Sequence, residues 1–214
     1  MQTKIDRRSF LAAAVLGCSS ILVPREAFSL PQGGLPESEP VTFYVNPGKT
    51  LGQIEAELHA HAENEARRII AEAMSQNNGG ITPFGRPTYS TVYGTTQYKR
   101  TGVHDVAGQP ADGIKINGGG SVYVTPSGGG TVTVSVSLPG GLSLDIGIEK
   151  GSKSVSVTSW AINIPGDSFY KVTANITYAI KPYVVYVTQD GVRKVYRKNA
   201  SKQLYSVELN KRRV

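Results

Sequence analysis

Few side chains in this chain of 214 residues are of types that carry chemistry: there are three histidines and one cysteine. His59 and His61 stand beside Glu63 and Glu65. On a helix, His59/Glu63 and His61/Glu65 are each four apart and share a face, while the two histidines point to nearly opposite sides. The helical zinc pattern instead places its histidines four apart around a glutamate. These residues therefore read as a solvated helix face, and no metal set is expected. His104-Asp105, with Asp112 nearby, offers the parts of a base oriented for a serine nucleophile. No Gly-x-Ser-x-Gly elbow accompanies it, and adjacent residues point in different directions, so turn formation is the simpler role. A hydrolase at His104/Asp105 is carried only as a second alternative. Asp145 and Glu149 are the only acids of the central strands, and glycoside hydrolysis needs a spatial pair of carboxylates. Glu149 adjoins Lys150, which favours a surface ion pair. The glycine clusters join strands and lack the Lys-Ser/Thr of a phosphate loop. No catalytic residue and no cofactor are assigned.

Charge is more informative than chemistry. Residues 30–79 hold three basic and seven acidic side chains, a net −4, whereas residues 169–214 hold ten basic and two acidic, a net +8. A basic face of this kind meets anionic polymers, lipid headgroups or nucleic acid; the simpler reading is a solvated face that aids solubility. The ligand-binding candidates are Lys181, Arg193, Lys194, Arg197, Lys198 and Lys202, with the tail Lys211-Arg212-Arg213 as a further contact. Tyr170, Tyr178, Tyr183, Tyr186, Tyr196 and Tyr205 interleave with them. Aromatics among cations can stack bases, but alternation puts half or more of these tyrosines on the apolar face.

One helix and many strands must position these residues. Thr50 and Gln53 form a capping-box pattern, and Ile54, Leu58, Ala62, Ala66, Ile69 and Ala73 recur every three or four residues. The spacing predicts an amphipathic helix from about Leu51 to Gln76, ended by Asn77-Asn78-Gly79-Gly80. Beyond it come short alternating segments: Tyr89–Tyr98 with Gly94 inside, Ile114–Ile116, Ser121–Thr125, Thr131–Leu138, Leu142–Glu149, Ser154–Ile164, Phe169–Ile180, Tyr183–Gln189, Val192–Lys198 and Gln203–Leu209. Asp190-Gly191 is the clearest hairpin turn, because a type I′ turn needs positive φ at both central residues. The expected fold is mainly β: an antiparallel β-sandwich, or a barrel-like domain, preceded by one amphipathic α-helix. The acidic helix either packs on the basic sheet or is tethered beside it.

The hairpin over 131–148 has one aliphatic face and one Ser/Thr/Asp face around Pro139-Gly140-Gly141. That pattern resembles the membrane-inserting stems of aerolysin-like β-pore-forming toxins, since a barrel wall needs an apolar outside and a polar lumen. Arms of seven or eight residues fall slightly short of the ~9–11 that a tilted spanning strand needs, and ordinary core packing gives the same alternation.

At the start, Arg7-Arg8-Ser9-Phe10-Leu11 precedes an apolar run to Val23 and then Ala27-Phe28-Ser29. This resembles a twin-arginine export signal over residues 7–29, which implies a chain exported already folded. Val15-Leu16-Gly17-Cys18 also looks like a lipoprotein box, with Cys18 as the lipidated residue. Cleavage after Ser29 takes 29 of 214 residues and leaves a mature chain without cysteine. The expected organisation is a signal peptide at 1–29, a linker at 30–49, the helix at 50–78 and the β domain at 80–214. The expected function is non-catalytic binding of an anionic cell-envelope polymer or membrane surface. No nucleic acid is expected outside the cytoplasm, and self-association as a homo-oligomer is compatible with the pattern. The first alternative is a β-pore-forming, bacteriocin-like protein. Intact-mass analysis of protein recovered from cells is expected to show a chain starting at Leu30; a lipidated Cys18 terminus would contradict that.

Overall fold

The structure, a computed structural model, describes residues 40–46, 48–76, 86–124, 129–151 and 160–214. The export signal, Cys18, the linker before residue 40, the helix-ending residues 77–80 and the start of the 154–164 segment lie outside the described residues. The described part is mainly β, with one helix and a curled antiparallel sheet that forms a half-barrel.

Helix α1 (Leu51–Gln76) forms where the stripe predicts it, and the six stripe residues are its buried ones. Its first turn is closed reciprocally. The Gln53 N–H donates to Thr50 Oγ1 at 3.3 Å, and the Thr50 N–H donates to Gln53 Oε1 at 2.8 Å. Two of the four orphan donors of a helix start are thereby satisfied.

The sheet is built on two long strands, β9 (Tyr170–Gln189) and β10 (Val192–Arg213), joined at Asp190-Gly191. Both turn residues have positive φ, 54° and 75°, as the primed hairpin turn requires. β1 (Val41–Tyr44) pairs with the far end of β10, opposite Ser206–Leu209. On the other side β9 pairs with β2 (Thr88–Tyr93), β3 (Gln97–Arg100) and β4 (His104–Asp105) in turn. Two separate antiparallel pairs complete the chain: β5 (Gly120–Val124) with β8 (Trp160–Ile164), and between them in sequence the hairpin of β6 (Thr131–Leu138) with β7 (Leu142–Glu149). Within the expected linker at 30–49, where Thr42–Val45 reads as one short strand, residues 41–44 form an edge strand.

Four expected segmentations are corrected. Phe169–Ile180 and Tyr183–Gln189 are one strand, because Pro182 falls where its missing N–H costs nothing. Pro182 lies opposite the break between β2 and β3, and its carbonyl accepts the Gly94 N–H at 2.8 Å. A Cβ at Gly94 would come to 3.0 Å from the Pro182 ring, so the expected Tyr89–Tyr98 strand is instead broken at a glycine where the two backbones approach closely. Val192–Lys198 and Gln203–Leu209 are likewise one strand, bent by irregularities at 195/197 and 204/206. Ile114–Ile116 is no strand; Ile114 makes a single bridge to Tyr170.

Alternation divides β9 between two cores. Val172, Ala174, Ile176, Tyr178 and Ile180 face the two small pairs, where they meet Val124, Val136, Ile148, Ile162 and Ile164. Ala179, Tyr183 and Val185 face the helix. The small stripe residues Ala62 and Ala66 let the helix approach the fully buried Tyr183 ring closely. Burial pushes the Tyr178 phenol up to about 12, with the Glu149 charge adding to the effect. Its hydroxyl donates to the Glu149 carbonyl at 3.0 Å.

Leu58 is 1% exposed under the helix, whereas Val195 is 42% exposed. Leu58→Ala is expected to cost about 2–5 kcal/mol in urea unfolding, and Val195→Ala less than about 0.5 kcal/mol. Similar costs for the two would contradict the placement of the core.

Candidate functional site

The six candidate cations do not form one face. Register sets Lys198 opposite Val184 and Lys202 opposite Ile180, on the side of β10 that faces the β6–β7 pair. Their ammonium groups donate to the Ser143 carbonyl at 3.3 Å and the Gly147 carbonyl at 2.5 Å. Arg193 shares that side; its guanidinium lies 3.9 Å from the Tyr186 ring centroid and reaches Ser90 Oγ at 3.4 Å. Lys194, opposite Val187, and Arg197, opposite Val185, point to the helix side of the sheet. Neither makes an ion pair or a side-chain hydrogen bond among the described residues.

Lys181 stands apart from all five. It is 8% exposed, and its ammonium donates to Glu55 Oε1 of the helix at 3.0 Å. Thr96 Oγ1 donates to the same oxygen at 3.1 Å. A second latch lies further along the helix. The Tyr183 hydroxyl and Ser201 Oγ both donate to Glu65 Oε2, at 3.0 and 3.2 Å, and Asn199 Nδ2 donates to the Tyr183 hydroxyl at 2.9 Å. Burial, reinforced by the Glu65 charge, holds the Tyr183 phenol well above its ordinary range. Lys181 is therefore a residue that positions the helix, not an exposed anion contact. The acidic helix packs on the sheet partly through these two glutamates.

Two of the three tail cations are also engaged. Lys211 Nζ donates to the Asn163 carbonyl at 2.9 Å, and desolvation lowers its pKa. Arg212 Nη2 lies 3.3 Å from Asp105 Oδ1. They sit at the opposite end of β10 from Arg193, about 60 Å along the strand path.

The other sequence candidates do not assemble. His104 Nδ1 lies 3.0 Å from the Gly102 carbonyl and Nε2 lies 2.9 Å from the Lys150 carbonyl, while Asp105 turns to Arg212. The adjacent pair thus points in different directions and contacts no serine hydroxyl among the described residues. Asp145 accepts a hydrogen bond from Ser135 Oγ. His59 packs edge-on against Tyr93 with ring centroids 4.6 Å apart. The aliphatic side of the 131–148 hairpin is turned onto the sheet, with Val136, Leu138 and Ile148 buried. Among the described residues no helix is long and apolar enough to cross a membrane.

What remains is the distal arm of β9–β10. Residues 189–198 are exposed, and Val192, Val195 and Tyr196 project apolar surface beside the cations. Sequence reasoning named the charges but not this two-sided exposure. The signal was present: cations at 193, 194, 197 and 198 break period two, so neither face of that stretch can be apolar. Comparison with protein-family models, curated proteins and solved structures finds no match.

Glu55 is held below its ordinary 4.5, chiefly by the Lys181 hydrogen bond, then by Thr96 and the Lys181 charge. A lowered folded-state value gives stability that is present above about pH 4.5 and lost as pH falls through the lowered value. Its side chain is 54% exposed, so the contribution is small. Melting temperatures followed from about pH 7 to about pH 3 should fall less steeply for Glu55→Gln than for the parent chain. Parallel curves would contradict the latch.

Proposed function

We propose that this is an exported, non-catalytic β-rich protein that binds an anionic partner on the cell envelope or a cell surface through the distal arm of β9 and β10. The observation that carries the reading is the two-sided exposure of Val192–Lys198, where Lys194 and Arg197 make no ion pair or side-chain hydrogen bond among the described residues. Cations that served only the fold would be paired, as Lys181 and Arg212 are. The charge asymmetry supports the same end of the molecule, since residues 169–214 carry the net +8. Export rests on the resemblance of residues 7–29 to a twin-arginine signal. The exposed Val192, Val195 and Tyr196 give the arm an apolar component beside its charge.

Binding to vesicles containing phosphatidylglycerol, and to soluble polyphosphate, should weaken steeply with salt. The screening length shrinks from about 10 Å at 0.1 M to about 3 Å at 1 M. A cation near an anionic surface contributes about 1 kcal/mol. Lys194→Ala and Arg197→Ala should therefore each weaken vesicle binding about fivefold. Lys181→Met should leave that affinity unchanged while lowering the melting temperature. Equal affinity for the parent chain and the Lys194/Arg197 double variant would contradict the assignment.

A further inference from the structure

The backbone of the arm narrows the kind of anionic partner. β10 is paired along one side by β9, but on its other side β1 covers only Ser206–Leu209. Among the described residues nothing pairs the open side between Val192 and Gln203. The direction of the free groups follows from Pro182. Its carbonyl points away from β10, since it accepts the Gly94 N–H. In an antiparallel ladder the N–H and C=O of one residue point the same way, and so do those of directly opposed residues, each to its own outer side. Ala200, opposite Pro182, therefore turns its N–H and C=O to the open edge. Its N–H is indeed not in the ladder: it donates to the Asn199 side chain at 2.9 Å. By alternation Lys198 and Lys202 present their backbone groups to the same edge.

An open edge is a template for another strand. Here cations flank it on both faces, with Lys198, Lys202 and Arg193 on one side and Lys194 and Arg197 on the other. A flat surface lying on the sheet would meet only one of these rows. A chain in the plane of the sheet meets both and also pairs the outward backbone groups of Lys198 and Lys202, with the Ala200 N–H exchanging Asn199 Oδ1 for the added strand. A second copy fits poorly, because between residues 186 and 204 the only acid is Asp190, and edge-to-edge pairing would set cations against cations.

We propose that the 192–203 edge of β10 receives an extended, acidic polypeptide segment of a partner protein by β-strand addition. This rests on the anionic-partner reading and specifies its chemistry. Backbone pairing gives the affinity, and carboxylates above and below the added strand give the selectivity.

The test uses the full chain and an unstructured peptide of about eight residues, rich in Glu, Thr and Val with acids on both faces. It is compared with the same peptide N-methylated at alternate amides, and with polyphosphate. The parent chain should bind the unmethylated peptide at least about tenfold more tightly than the methylated one. Ala200→Pro takes away an outward N–H, which an added strand must win from Asn199 Oδ1, and no bond to β9, so it should weaken the peptide comparably and leave polyphosphate binding unchanged. Equal binding of the two peptides would overturn strand addition; because that arm leaves the protein unaltered, it decides even if Ala200→Pro fails to fold. Polyphosphate or vesicle binding without peptide binding would also overturn it, in favour of a polymer or membrane surface. Self-association through this edge that the peptide cannot compete with would overturn the choice of occupant. Failure of every anion to bind would remove the anionic-partner reading itself, and this inference with it.

Discussion

Strand β9 is buried on both faces, and the rest of the molecule is arranged to make that tolerable. Its even positions from Val172 to Ile180 feed one core and its odd positions from Ala179 to Val185 feed another. A strand with two apolar faces needs two covers. The helix supplies one, and the β5–β8 and β6–β7 pairs supply the other. The covers reach the sheet differently. The helix brings a narrow stripe of small residues and two glutamates that find Lys181, Tyr183 and Ser201. The β6–β7 pair brings aliphatic side chains and has its outer backbone groups met by Gln97, Lys198 and Lys202. The side chains that clamp each cover lie within, or directly beside, the same two long strands.

This arrangement sorts the basic residues by what lies over them. Where a cover passes above β9 or β10, cations are drawn into the fold, as Lys181 is beneath the helix and Lys211 is beside Asn163. Towards the Asp190-Gly191 turn, β10 continues as the open edge beside β9 and β2, where Lys194 and Arg197 make no ion pair or side-chain hydrogen bond among the described residues. The net +8 of the C-terminal end is therefore not one surface. Among the described residues it combines cations engaged within the fold with exposed ones along the arm.

Much of this was legible in the sequence because it is local. The stripe from Ile54 to Ala73, the Thr50–Gln53 box, the Asp190-Gly191 turn and the alternation of 131–149 all rest on contacts within a few residues or across one turn, and each took the expected form. The misreadings have long-range causes. Pro182 looked like a strand end because nothing nearby shows that a gap between β2 and β3 lies beside it. Residues 199–202 fell between two expected strands, but Asn199 and Ser201 bond Tyr183 and Glu65, partners distant in the chain, and the strand runs through. Lys181 looked like one more surface cation, since its counter-ion Glu55 is 126 residues away. Parity alone would have divided Lys198 and Lys202 from Lys194 and Arg197, had the register across the 195/197 bulge been known.

The central claim is that the arm of β10 is open in the free protein and is the part a partner occupies. Amide hydrogen exchange along the whole chain, with and without phosphatidylglycerol vesicles or the acidic peptide, tests it most directly. The account predicts fast exchange over 192–198 and slow exchange over 172–185 in the free protein, with added partner slowing the 192–203 stretch. Slowing confined to the 131–149 hairpin or to the helix, with the arm unchanged, would contradict it.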